Sequence, residues 1–194
     1  MPDLFLSDPV TSAHSNTRFS FFPSSHVSYK PAPLTAELLY HLLYRSSLSK
    51  VPVVLCIGTD RILGDSLGPL TGSLLQKKCA GQFAVYGTLQ EPAHALNLTQ
   101  INAVIKKKHP DSPVIAIDAS LGSSDQIGSV FVRAGSISPG AGVRKSLPPS
   151  GTIAITGVVN EESLHPYLAL QTARLSIVAA MAEQIADCIL EILS

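Results

Sequence analysis

Apolar positions along the chain fall into short runs that alternate with longer amphipathic ones from residue 51 onward. Val51 to Ile57 is rich in β-branched residues and apolar at successive positions, the pattern of a strand covered by helices on both faces. A loop follows from Gly58 to Gly64, and Pro69, near the first helical position, opens a helix to about Cys79. Gln82 to Thr88 predicts a second strand, Leu96 to Lys108 a second helix and Pro113 to Ile117 a third strand. This order predicts a mostly parallel sheet. Ile127 to Arg133 predicts a fourth strand, too close behind the third for a parallel crossover and so antiparallel. Thr152 to Thr156 predicts a fifth strand, after a Gly/Pro-rich segment from Gly135 to Gly151 long enough to expect a function for it. The last helix is expected to run from Pro166 to Leu193 on one apolar stripe that includes Leu175, Val178, Met181, Ile185 and Ile189.

The first 33 residues have no steady period and read as an irregular Ser/Pro/Phe-rich arm, its Phe side chains pinning it to the domain or to a neighbouring subunit. Residues 34–194 then form a single α/β domain, beginning with a helix from Leu34 to Ser47. Composition narrows the partners. The 14 Lys+Arg balance 14 Asp+Glu, which removes the drive toward nucleic acid or an anionic membrane. Trp is absent and aromatics make up 6%, which argues against base-stacking platforms. Cys56, Cys79 and Cys188 have neither zinc-site nor disulfide-framework spacing, and the N-terminus lacks signal-peptide character, so a cytoplasmic protein is expected.

With so few charges, carboxylates at the carboxyl edge of the parallel strands stand out, since that is where open α/β sheets bind ligands. Asp60 and Asp65 lie in the loop after the first strand, and Asp118 ends the third. In the usual strand order Asp65 and Asp118 face each other across the crevice. Two close carboxylates share a proton, so the pair can activate water or hold a metal. The simpler reading makes Asp65 a helix N-cap and Asp118 an acceptor for backbone N–H groups. Gly64-Asp65-Ser66-Leu67 also spells the GDSL esterase motif, but no Asp-x-x-His accompanies it, only Glu162-Ser163-Leu164-His165. His94, just past the second strand, either touches substrate or is a loop histidine bonded to backbone. No nucleotide-binding glycine motif is present, and no spacing demands a metal; no cofactor is expected.

At these residues the sequence resembles the YyaC-type sporulation proteins. The matching stretches are Cys56 to Arg61, Gly64 to Pro69, Tyr86 to Leu98, Ala116 to Gly122, Pro139 to Val143, Leu147 to Pro149 and Ile155 to Asn160. The family is similar to the spore germination protease and, more distantly, to hydrogenase maturation endopeptidases. The resemblance implies a three-layer α/β/α sandwich, phosphorylase/hydrolase-like, around a mixed five-stranded sheet. It also implies an aspartic-type endopeptidase acting on a protein or peptide, spore proteins among them. Asp65 and Asp118 match the two essential aspartates of the germination protease, and Pro139 to Val143 matches a loop near its site. In that reading Asp60 and Arg61 shape the site, while His94, Gly140 and Gly142 touch substrate. The nickel-gripping histidine of the hydrogenase peptidases has no counterpart in a matching motif. A sporulation binding module without turnover, and a metal-dependent hydrolase using the same aspartates, are the alternatives; a homo-oligomer stays open.

Overall fold

The computed structural model describes residues 17–19, 39–40, 43, 50–139 and 148–193. Strand β1 (Thr17–Phe19) is followed by β2 (Val53–Cys56), helix α1 (Leu67–Lys78), β3 (Ala84–Tyr86), α2 (Leu98–Lys108), β4 (Val114–Gly122), β5 (Val130–Ala134), β6 (Ile153–Glu161), α3 (Pro166–Gln171) and α4 (Leu175–Leu193). The sheet order is β1-β5-β6-β4-β2-β3. β2 runs parallel to β3 and β4, β4 parallel to β6, and β5 antiparallel to β6. The mixed, mostly parallel five-stranded sheet is therefore present, with its antiparallel member where the short connection required one. One difference is at the edge: Thr17–Phe19, inside the arm expected to be irregular, pairs antiparallel with β5 as a sixth strand. Three residues carry too short an alternation to register as a strand in sequence.

Helices cover both faces, making three layers. On one face Val54, Cys56, Ile115, Ile117 and Ile155 pack against α1 and α4, together with the buried helical residues Leu39 and Leu43. On the other, Val53, Leu55 and Ala116 pack against Leu98 and Ile105 of α2. All four residues of β2 are buried, which explains its apolar run without alternation. The remainder of the helix expected over 34–47 lies outside the described residues. Among the described residues no helix is long and apolar enough to cross a membrane.

Two expectations are corrected in ways that bear on the site. The third predicted strand does not end at Asp118: β4 continues to Gly122, because β6 stays paired with it to Glu161 through a bulge between Ser120 and Leu121. The β2 ladder, by contrast, stops at Cys56 opposite Ile117. Asp118 is thus the first residue of β4 beyond that ladder, and the crevice opens beside it.

The last helix is broken. α3 ends at Gln171 and α4 begins at Leu175. The carbonyl of Ala169, which would accept the next helical bond, takes one from Asn160 Nδ2 at 2.8 Å. The Thr172 hydroxyl donates to Leu168 O at 2.9 Å and Ala169 O at 3.3 Å. Side chains thus occupy the Ala169 carbonyl that would carry the helix onward, while Leu168 O keeps the last regular bond from Thr172 N at 2.9 Å.

Candidate active site

The loop after β2 is shaped by backbone contacts. Gly58 has φ +141°, and a Cβ there would run into the Asp65 carbonyl. That carbonyl accepts from Thr59 N at 3.1 Å, folding the loop back so that the turn Gly64–Ser66 sits over the end of β2. Gly64 in turn approaches Leu170 O and Ala173, which leaves no room for a side chain between this turn and α3. Across the crevice, Gly58 N donates to Ala93 O at 2.8 Å, and the pairing of Ile57 with Ala93 brings His94 to the same edge.

Asp65 and Asp118 line one cleft of about 810 Å³, with His94, Thr156, Arg133 and Tyr167 among the other lining residues. Asp118 is 8% exposed. Its carboxyl is held well above the usual aspartate range by burial first and by the charge of Asp65 second, opposed by the Ala119 N–H that donates to Oδ1 at 2.9 Å. Asp65 is not the helix cap: Ser66 holds that place, and no side-chain cap bond is made at either turn. The Asp118 contact with Ala119 N is the backbone bond the simpler reading expected, but a neighbouring carboxylate accompanies it.

The other expected residues separate. His94 Nδ1 accepts from Leu96 N at 3.3 Å, so in the neutral ring the proton sits on Nε2. Its backbone is fixed by Asn97 Oδ1, which accepts from His94 N at 2.8 Å. Asp60 and Arg61 are exposed and line a second, shallower depression with Leu70 and Gln171. Pro139 lines the main cleft, whereas Gly140 and Gly142 lie outside the described residues. Ser66 donates to Leu63 O at 2.5 Å and is 7% exposed, an arrangement unlike an exposed esterase nucleophile. Burial pushes the Cys56 thiol far up, so it is no nucleophile either. Among the described residues no group of three or more His, Cys, Asp and Glu side chains converges as a metal site.

Thr156, Arg133 and Tyr167 also line the cleft and carry no site motif of their own in the sequence, and Glu162 enters there only beside the esterase pattern. Thr156 stands in register with Asp118 on the neighbouring strand. The ligand-binding rule for parallel strand ends would have found it once β6 was placed beside β4. Arg133 reaches the cleft from the antiparallel strand, anchored by Ser136 O at 2.8 Å and Ala134 O at 3.3 Å, and no sequence signal marks it.

The architecture has a counterpart among solved structures. The [NiFe] hydrogenase maturation protease HycI from Thermococcus kodakarensis superposes with a TM-score of 0.51 over 80% of this chain and 98% of its own, at 18% identity. At that identity the likeness establishes the fold. In sequence, the chain is 45% identical over 143 residues to the uncharacterized protein YyaC of Bacillus subtilis (strain 168), covering 74% of this chain and 70% of YyaC. Residues 27–188 match a family described as protein of unknown function DUF1256. Its extent and the identity with YyaC settle the classification: the chain belongs to the DUF1256 family.

Proposed function

We propose that the protein is an endopeptidase in which Asp65 and Asp118 activate water for attack on a peptide carbonyl. The observation that carries this reading is the buried Asp118 carboxyl, which favours its protonated form beside the charge of Asp65 at the mouth of one cleft. One carboxylate takes a proton from water while the other, as a carboxylic acid, gives its proton to the carbonyl oxygen; the first then passes the proton it took to the leaving amine, and a hydroxyl of the tetrahedral intermediate returns a proton to the second. The water oxygen bonds to the carbonyl carbon, the C–N bond breaks, and the proton ends on the amine nitrogen. Thr156 and the Nε2–H of His94 supply further hydrogen-bonding groups on the wall. The peptidase-like fold supports a polypeptide substrate, and the resemblance to sporulation proteins supports one made in the sporulating cell.

The test is digestion of a lysate of sporulating cells by the wild type, Asp65→Asn and Asp118→Asn. Products made by the wild type and missing with both variants are expected. Equal cleavage by the variants would sink the mechanism, and no cleavage by any of them would favour a binding module.

A further inference from the structure

Apolar side chains from three separate parts of the chain line the cleft, with Glu162 beside them. Ile62 comes from the loop after β2, Leu121 from the far end of β4, and Pro166, Tyr167 and Leu170 from α3. α3 itself is unusual in where its apolar side chains go. Of its six residues only Ala169 is buried, while Tyr167 and Leu168 are 55% and 54% exposed and Leu164, just before it, is 96% exposed. So short a helix does not hold itself together. Asn160, Thr172, the close approach of Gly64 and the inward packing of Ala169 and Leu170 hold it, and Tyr167 and Leu168 are left outside that contact. The fold therefore fixes an apolar surface at the rim of the cleft that contains Asp65 and Asp118.

We propose that α3 is a specificity wall, with Tyr167 as its centre, that receives a large apolar side chain of the substrate polypeptide next to the scissile bond. The occupant follows from position: Tyr167, more than half exposed, lines the same cleft as both aspartates. The inference rests on the peptidase reading for the word scissile, but the subsite itself is a binding property.

Two measurements separate the claims. In the first, a proteome-derived peptide library is digested by the wild type, Tyr167→Ser, Tyr167→Phe and, as a distant surface control on α2, Val104→Ser. Large aliphatic or aromatic residues are expected beside the cleaved bonds with the wild type, Tyr167→Phe and Val104→Ser. Tyr167→Ser is expected to lose about tenfold in kcat/KM on those peptides, the scale of a lost apolar pocket contact. In the second, binding to Asp118→Asn protein is measured on an array of blocked peptides in Leu and Ser versions. The Leu versions are expected to bind about tenfold tighter, a preference erased by adding Tyr167→Ser.

A flat cleavage profile that still requires both aspartates leaves the peptidase and overturns the subsite. A Leu preference in binding without Asp-dependent cleavage keeps the subsite and overturns the peptidase. Self-association abolished by Tyr167→Ser, with no peptide preference, overturns the proposal in favour of a second copy.

Discussion

Gly58 and Asp65 are locked together through the backbone: the Asp65 carbonyl occupies the space a Gly58 side chain would need, at a φ that disfavours one. Gly58→Ala therefore combines left-handed strain with a backbone clash, and a destabilisation of about 3 kcal/mol is expected by denaturant titration. Cleft function should suffer beyond that, because the loop carrying Asp65 must move; a variant as stable as the wild type would contradict the geometry.

Asp118→Asn should separate activity from stability. The amide keeps an oxygen to accept from Ala119 N but cannot cycle a proton, so peptide cleavage is expected to fall by at least about 100-fold, the lower end of acid–base contributions. Stability should rise by on the order of 1 kcal/mol at neutral pH, as when a strained site is relieved.

The sign follows from the raised carboxyl. The folded protein keeps the Asp118 proton at pH values where the unfolded chain has lost it, so the folded state binds more protons and stability falls as pH rises through that window. The penalty is complete above the folded-state pKa and absent below the unfolded one. Thermal melts across pH should show this decline in the wild type and a flatter profile in Asp118→Asn; parallel profiles would count against it.

α1 and α4 meet through both an ion pair and a core, and the two should differ in weight. Lys78 Nζ lies 2.7 Å from Asp187 Oδ1, but both side chains are more than two-fifths exposed. Lys78→Ala is expected to cost less than about 1 kcal/mol and to lose even that at high salt. Leu75, fully buried in the same interface, should cost about 3 kcal/mol on truncation to Ala. Urea titrations of both variants make the comparison.

Asn160→Asp retains the oxygen that accepts from Glu161 N at 2.9 Å and removes the Nδ2 donor to Ala169 O. Faster amide exchange is expected at residues 166–172, larger than the change in the core strands, with a loss of about 1 kcal/mol. Unchanged exchange there would show that α3 is held by something else.

Strand periodicity, the loop after β2 and the antiparallel strand, read as the fourth and observed as β5, were legible because each is written in contiguous residues. Asp65 and Asp118 were legible because strand ends in such sheets are where chemistry collects, and the β2–β4 pairing put them at one edge. What escaped was long-range. The break at Thr172–Arg174 is made by Asn160 from another strand, so an unbroken apolar stripe read as one helix. The length of β4 depends on β6, whose paired residues, such as Thr156 opposite Asp118, lie far along the chain and outside any local window. Arg133 gave no signal because its place comes from the antiparallel strand β5 rather than from the parallel strand ends.

The interruption before α4 has an evolutionary consequence. Because α4 buries its own stripe in the core and α3 is fastened to β6, the outward positions between Asn160 and Arg174, Leu164, Tyr167 and Leu168 among them, can drift while the buried Ala169 and Ala173 keep the scaffold intact. Related chains could thus retarget the cleft by rewriting a handful of positions, and exchange of those side chains would be the shortest route to redirecting this one.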